Sequence, residues 1–480
     1  MATFPSGRFS QFVMIFIFMM IQVHLILLSS HVFAEDKSYP TTLVFPTFLH
    51  TYGIRKATRF HLLLFSQNKT KFDDPQGLAV TRLLSWEDPT TTNDDDEVTV
   101  YGVNSEENNI IYNKSMKSIG IYGLTEKEEQ RLNRPQGIAA TSNGEVYIAD
   151  TGNHRIVKLL NPGHDLVFHA SLGEKGTKPG QFDEPTGVAI DSKGILYVTD
   201  TNNHRIQVLS SDLRYLSEWG RPGKENGKLN FPAGISVTDK NQEWTYYKQD
   251  FAVVIDLNHT RLQQFDPEGN FLRSITGSEF GYPDCHLSHL AMDYYDNIYV
   301  TDTKNHCVHK FDCLLKYLTS FGKYGSGDNE FIEPRGITIY RRFGQVFIAE
   351  KWGAQYYWIG ADCFNFKVTT LSDQEMLQLT YFLTEPSFVT TDILDEKNRL
   401  VTRLWTRQFH SSGEQQDFWS GRIWTVADSV FLKEKAEPSP QYQKGKMIAP
   451  GKYTVKYRVE PTYSSYHYFE KIVTKNFIKN

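Results

Sequence analysis

Val146-Tyr147-Ile148-Ala149-Asp150-Thr151-Gly152-Asn153-His154-Arg155-Ile156 and Leu196-Tyr197-Val198-Thr199-Asp200-Thr201-Asn202-Asn203-His204-Arg205-Ile206 are one phrase written twice, 50 residues apart. Ile298-Tyr299-Val300-Thr301-Asp302-Thr303-Lys304-Asn305-His306-Cys307-Val308 is a third copy, and Val253 to Leu262 a fourth, one residue shorter. In each, β-branched and aromatic residues run into an Asp/Gly/Asn turn and out again, which is the pattern of a hairpin.

Outward from the hairpins, a Pro-x-Gly-aliphatic-small phrase precedes each one. It reads Pro75-Gln76-Gly77-Leu78-Ala79, Pro135-Gln136-Gly137-Ile138-Ala139, Pro185-Thr186-Gly187-Val188-Ala189, Pro232-Ala233-Gly234-Ile235-Ser236 and Pro334-Arg335-Gly336-Ile337-Thr338. A worn copy, Leu287 to Ala291, has lost the proline and carries His289 at the glycine position. The copies start at 75, 135, 185, 232, 287 and 334, spacings of 47 to 60 residues, which belong to repeat arrays. Strand, turn and strand at such intervals, with almost no helical periodicity, predict four-stranded blades around an axis. The expected fold is all-β, a six-bladed β-propeller, with Arg59 to Phe65 supplying the outer strand that closes the ring and removes its edge.

The Asp-x-x-Asn-His-Arg-aliphatic phrase resembles the NHL repeat, and the resemblance covers about Phe72 to Phe364. The motif residues are Asp150, Asn153, His154 and Arg155, then Asp200, Asn203, His204 and Arg205, then Asp302, Asn305 and His306. They read as structural. An aspartate accepts backbone N–H bonds in its turn and an arginine braces neighbouring strands. A catalytic group has no reason to recur in every blade.

After Phe364 the period stops. Residues 365–480 hold short alternating strands, among them Leu377 to Leu383 and Phe388 to Asp395, which predict a small β-sandwich. Trp419-Ser420-Gly421 and Ala449-Pro450-Gly451-Lys452-Tyr453 make this part similar to the FlgD-type immunoglobulin-like domain. The resemblance implies a spacer or contact module at a bacterial surface. The expected organisation is 1–34 signal peptide or anchor, 35–58 linker, 59–364 propeller and 365–480 sandwich.

Arg8, the apolar run Phe12 to Leu28, and Val32-Phe33-Ala34 follow the order of a secretory signal. An uncleaved anchor helix at residues 12–28 is the alternative, since the run approaches a bilayer's thickness. Either way the expected place is extracytoplasmic: secreted, periplasmic or at the cell surface. Export gives meaning, in a glycosylating host, to the sequons at Asn68, Asn113 and Asn258. A net charge of −5 provides no general attraction to phosphate backbones, and no nucleic-acid partner is expected. The export signal and the lack of a Cys/His-rich RING or B-box segment also argue against the RNA-binding and ubiquitin-ligase roles of animal NHL proteins. Mean hydropathy of −0.44 excludes a multi-span membrane protein.

Chemistry concentrates in the fifth repeat. Cys285, His286 and His289 precede one strand, while His306, Cys307 and His309 open another. Propeller topology places both groups on one face. A Cys285–Cys307 disulfide is the simplest account in an exported chain; free thiols, or a metal held with His289, His306 and His309, are the alternatives. Cys313 and Cys363 fall at corresponding turns of successive blades, too far apart to bridge. The run Asp94-Asp95-Asp96-Glu97 lacks the alternating ligands of a calcium loop and reads as a solvated insertion. No cofactor is predicted beyond such a calcium or zinc. The expected function is non-enzymatic binding of a protein, peptide or glycan on a propeller face. The alternative is a metal-dependent lyase or hydrolase, since six-bladed propellers also carry such enzymes.

Overall fold

The repeated phrases become repeated sheets. The computed structural model describes residues 40–46, 55–66, 69–86, 98–115, 118–124, 127–256, 258, 260–371, 376–423, 446–463 and 469–479. Sheet one is Pro75–Thr81, Thr99–Asn104, Asn109–Ser115 and Ser118–Tyr122; sheet two is Ile138–Ala140, Glu145–Asp150, Arg155–Leu160 and Val167–Leu172. Sheet three is Pro185–Ile190, Leu196–Asp200, Arg205–Leu209 and Tyr215–Trp219; sheet four is Pro232–Thr238, Phe251–Asp256, Arg261–Phe265 and Phe271–Thr276. Sheet five is Leu287–Met292, Ile298–Asp302, Cys307–Phe311 and Tyr317–Phe321, and sheet six begins Pro334–Tyr340, Gln345–Glu350 and Gly353–Ile359. Strands pair antiparallel in chain order, and the first strand of each sheet packs on the first strand of the next. The first strand of sheet six packs on that of sheet one. This is the packing of a β-propeller.

The Pro-x-Gly phrase is a bulge at the start of the innermost strand. In sheet three Pro185 pairs with Asp200, and the register then jumps to Val188 with Val198; sheets one, four, five and six repeat the jump. A bulge tolerates the missing N–H of proline and turns the next two residues out of the ladder, toward the axis. Glycine follows because the neighbouring sheet is too close for a side chain. A Cβ on Gly137 would lie 2.3 Å from the Thr186 carbonyl oxygen, and one on Gly336 only 2.0 Å from that of Gln76.

Two expectations are corrected at the N-terminal edge. Arg59 to Phe65, expected as the closing strand, lies instead in a helix, α1, Arg59–Ser66. The run Leu62-Leu63-Leu64 offers helix formers and none of the β-branched residues that hold a strand flat. The outer edge of sheet six is filled instead by Leu43–Val44 and Lys56–Thr58, from the segment expected to be a linker. Leu43 pairs with Ile359 and Thr58 with Gly353.

The last sheet ends at Ile359, a few residues before the expected boundary. Cys363 therefore opens the C-terminal domain and is not a blade turn, because its strand pairs with Met376–Leu383. Cys363–Leu371, Met376–Leu383 and Gly413–Trp419 make one sheet. Leu400–His410, Ser387–Asp395, Gly451–Pro461 and Lys471–Lys479 make another. Their inward residues, including Leu379, Tyr381, Val389, Ile393, Trp419, Val455 and Tyr457, share one core. The two sheets form a β-sandwich.

The sandwich meets the propeller at the far ends of the innermost strands. Glu385, between the two sandwich sheets in sequence, is fully buried against the equally buried Lys310 of sheet five, and Asn297 adds a bond of 3.3 Å. The Tyr295 hydroxyl donates to Thr462 Oγ1 at 2.7 Å, and the Tyr294 N–H to the Tyr463 hydroxyl at 3.3 Å. Among the described residues no helix is long and apolar enough to cross a membrane.

Candidate functional site

The motif residues are consumed in holding the sheets. Asp200, wholly buried, accepts from the Asp183 N–H at 2.8 Å, from Asn203, from Arg205 Nε at 2.8 Å and from Gln207 at 3.0 Å. Arg205 then donates onward to the carbonyls of Lys178 and Gln181, which fixes the loop entering the sheet. Asp150, Asn153 and Arg155 repeat this arrangement, with Arg155 reaching the Glu129 and Arg131 carbonyls. The histidines tie each sheet to its successor. His154, His204 and His306 lie in the left-handed region at φ 53°, 55° and 55°. Their Nδ1 atoms accept the N–H of Glu184, Phe231 and Glu333, each on the way into the following sheet.

What is free for a ligand lies at the bulges. The residue after each proline position is Gln76, Gln136, Thr186, Ala233, Ser288 or Arg335, and all six line one cavity of 780 Å³ at the mouth of the axial channel. Every sheet contributes, so the cavity is central. In the next layer inward five sheets present glycine and sheet five presents His289. The His289 Nδ1 lies 2.9 Å from Ser288 Oγ, and its Nε2 makes no hydrogen bond among the described residues. Burial, with the positive charge of Arg335, lowers its pKa to about 4, so the ring is neutral near pH 7.

Arg335 faces it across the cavity lining. Its guanidinium reaches Asp74 at 2.8 Å and Glu333 at 3.2 Å, while its buried Nε has no partner. Gln76 holds the other oxygen of Asp74 at 2.7 Å, and Lys351 holds Glu333 at 2.7 Å. Asp74, Glu106 and Glu333 are balanced in the lining by Arg134, Lys304 and Arg335. A mouth of this kind offers many directed hydrogen bonds and little net charge. It suits a polar ligand of low net charge.

The three histidines singled out from sequence are not brought together. His289 and His306 both line the mouth, but His306 spends its Nδ1 on Glu333 and packs its ring on Tyr324. His309 lies inside sheet five, fully buried with Asp302 and Cys307, their possible ligand atoms within 4.8 Å of one another. Its Nε2 is 3.1 Å from Asp302 and its Nδ1 2.7 Å from Ser320 Oγ. With both ring nitrogens engaged and only three ligands, this trio does not match the four-coordinate site that structural zinc requires. Burial works against ionising Asp302, yet the bonds from His309, Asn305 and backbone amides outweigh it and hold the carboxyl well below its usual range.

Cys285 and Cys307 are separate buried thiols, so the disulfide expected from topology is not made. The Cys285 sulfur faces the Thr260 carbonyl at 3.9 Å, and that of Cys307 lies 3.8 Å from His309 Nε2. Burial and the Asp302 charge push the Cys285 thiol up to about 11 and that of Cys307 higher still. Both are therefore protonated and poor metal ligands as they stand.

Of the sequons, Asn113 is committed to sheet one, its side chain bonding the Val100 N–H and Val98 carbonyl, so a glycan there would break the edge. Asn258 is exposed. Asn68, the acidic run 94–97 and the N-terminal segment 1–34 lie outside the described residues.

Sequence reading missed Asp74, Gln76, Glu333 and Arg335. The only available signal was their place beside the repeated glycine, where the residue differs in nearly every copy.

The NHL repeat family model matches residues 132–159 and 182–209, which are sheets two and three without their outer strands. No curated protein sequence matches the chain. Among solved structures, the virginiamycin B lyase of Staphylococcus aureus, in a catalytically inactive form with quinupristin, is 15% identical over 55% of this chain and 77% of that one, with a TM-score of 0.39. A streptogramin B lyase is 14% identical over 60% of this chain and 96% of that one, TM-score 0.39. A protein of unknown function from Bacteroides thetaiotaomicron is 16% identical over 60% and 70%, TM-score 0.43. Two stretches of the chain, residues 132–159 and 182–209, thus match the NHL repeat within a β-propeller.

Proposed function

We propose that this chain is an exported six-bladed NHL propeller that binds a protein, peptide or glycan at its channel mouth, without catalysing a reaction. In this reading the C-terminal sandwich is a FlgD-type immunoglobulin-like module that holds the propeller in place. The observation that carries the proposal is the composition of the mouth: six positions bearing five different side chains converge on one cavity, while the recurring motif groups are spent on structure. The export part rests on the order of Arg8, the apolar run 12–28 and Ala34.

The test is binding to a glycan array and a peptide library by the wild type, Ala233→Trp and Arg335→Ala. Ala233→Trp fills the cavity, and Arg335→Ala removes its clamp. Loss of a ligand in both, with thermal unfolding retained, places recognition at the mouth. Retention in both sinks that reading.

His289 favours a second reading, a metal-dependent lyase or hydrolase. A neutral imidazole with an open Nε2 in a channel is suited to ligate a metal or accept a proton. Elemental analysis with and without chelator separates the two. About one zinc or calcium per chain, lost from wild type on chelation and lacking in His289→Gly, would establish the second.

A further inference from the structure

Helix α1 is built the wrong way round for a helix that packs on a protein core. Leu62 and Ser66, four apart, face inward, while Phe60, Leu63, Leu64 and Phe65 are 60%, 46%, 61% and 43% exposed. Four large apolar side chains on two turns leave on the order of 400 Å² of apolar surface open, the size at which a patch is usually functional. The patch has a neighbour. Thr58, just before the helix, pairs with Gly353, and the adjoining Trp352 is 53% exposed. This corner lies at the mouth end of sheet six, where Glu350 pairs with Pro334.

Charge identifies the occupant. Residues 55–71 carry Arg55, Lys56, Arg59, Lys69 and Lys71 and no acidic residue, in a chain whose net charge is −5. Some of these cations are used locally: Lys71 pairs with Asp73 and Glu107, and Lys56 bonds the Ser326 and Gly327 carbonyls. Arg59 and Lys69, at the two ends of the helix, are exposed. An apolar strip with a cation at each end and an aromatic beside it fits a helix lying flat in a lipid surface. The strip enters the acyl boundary while Arg59 and Lys69 stay among anionic head groups.

We infer that α1 is a membrane-contact element, which seats the mouth end of sheet six on an anionic phospholipid bilayer. It is separate from the apolar run 12–28.

Because that run can itself hold the full chain on vesicles, the test reads the helix locally, as amide hydrogen exchange at residues 59–66. Vesicles of phosphatidylcholine containing about one-fifth phosphatidylserine should slow exchange there, and about 0.5 M salt should reverse much of the effect. Phe60→Ser with Leu64→Ser should abolish the protection while leaving thermal unfolding unchanged, since both side chains point outward. Arg59→Gln with Lys69→Gln should raise the lipid needed for half-protection roughly tenfold. Unchanged exchange on vesicle-bound chain would overturn the inference. So would equal protection by pure phosphatidylcholine, or protection that grows with protein concentration without lipid, which would mark the face as a contact between copies.

Discussion

Sheets three and five share a backbone and the Asp-x-x-Asn-His turn, and differ in the side chains that surround the buried aspartate and line the channel. In sheet three the buried Asp200 is met by Arg205 and Gln207, Val208 is apolar, and Gly187 leaves the channel open. In sheet five the same positions hold Asp302, Cys307, His309, Lys310 and His289. His309 takes the place of glutamine on the aspartate, and among the described residues no guanidinium reaches it. Lys310 points out to the sandwich instead of into a neighbouring blade, and His289 stands in the channel. Repetition thus supplies a scaffold whose parts are interchangeable. One repeat has been released from scaffold duty to attach the second domain at one end and shape the mouth at the other.

The most severe way to break this comparison is to remove one partner of the buried ion pair. Lys310→Met should cost about 3–5 kcal/mol, because Glu385, whose pKa burial already raises to about 8, is left buried without the cation that offsets its desolvation. The equivalent Val208→Met in sheet three should cost under about 1.5 kcal/mol, and Lys310→Met with Glu385→Leu should recover most of the loss. Urea unfolding of these four proteins and of Glu385→Leu alone measures this; an additive double variant would mean the pair is not coupled.

Next in size is the arginine itself. Arg205→Ala strips Asp200 of its cation and the Lys178 carbonyl of its donor, leaving the Gln181 carbonyl only Gln207, an expected loss of about 3 kcal/mol. Cys307→Ala, at the same position in sheet five, should cost about 1 kcal/mol. Equal midpoints in denaturant would refute the claim that sheet five has dispensed with this brace.

Acid sharpens the contrast further. His289 has its pKa depressed to about 4, so its contribution is intact above the unfolded value near 6.5 and is lost as pH falls toward 4. Asp302 is also depressed, and its contribution goes only below about pH 4. Glu385, its pKa raised to about 8 by burial, opposes this acid limb in both proteins, so the measurable sign is relative: His289→Gly should gain melting temperature against wild type between pH 6.5 and 4. A limb unchanged in the variant would assign the acid response elsewhere.

The smallest thermal effect belongs to that same variant at neutral pH. His289→Gly makes sheet five like the others and should change stability by under about 1 kcal/mol. Any ligand that reads the mouth should nevertheless bind more weakly.

Much of this was legible in the chain because the bulge and the left-handed turn tolerate few residues. Pro-x-Gly and Asp-x-x-Asn-His-Arg announce themselves wherever the backbone demands them. The x of Pro-x-Gly is under no such demand, so Arg335 and Gln76 were invisible as site residues. Lys310 and Glu385 are ordinary residues 75 positions apart, and only folding reveals that both are buried. Arg59 to Phe65 misled for another reason: a short apolar run has no period of its own, and its outward-facing leucines break the rule that apolar means inside.

Strand pairing between Leu43 and Ile359 also sets an order of events during synthesis. Sheets one to five can each zip up as their residues emerge, since their strands are consecutive. Sheet six needs a segment made before any of the other sheets, which must wait unpaired while some three hundred residues are added. The final pairing is the longest-range contact in the propeller and the slowest kind to form. Until it forms, Gly353–Ile359 is a bare edge open to a strand from another copy. Nascent-chain crowding is therefore most dangerous to the propeller at the moment its ring closes.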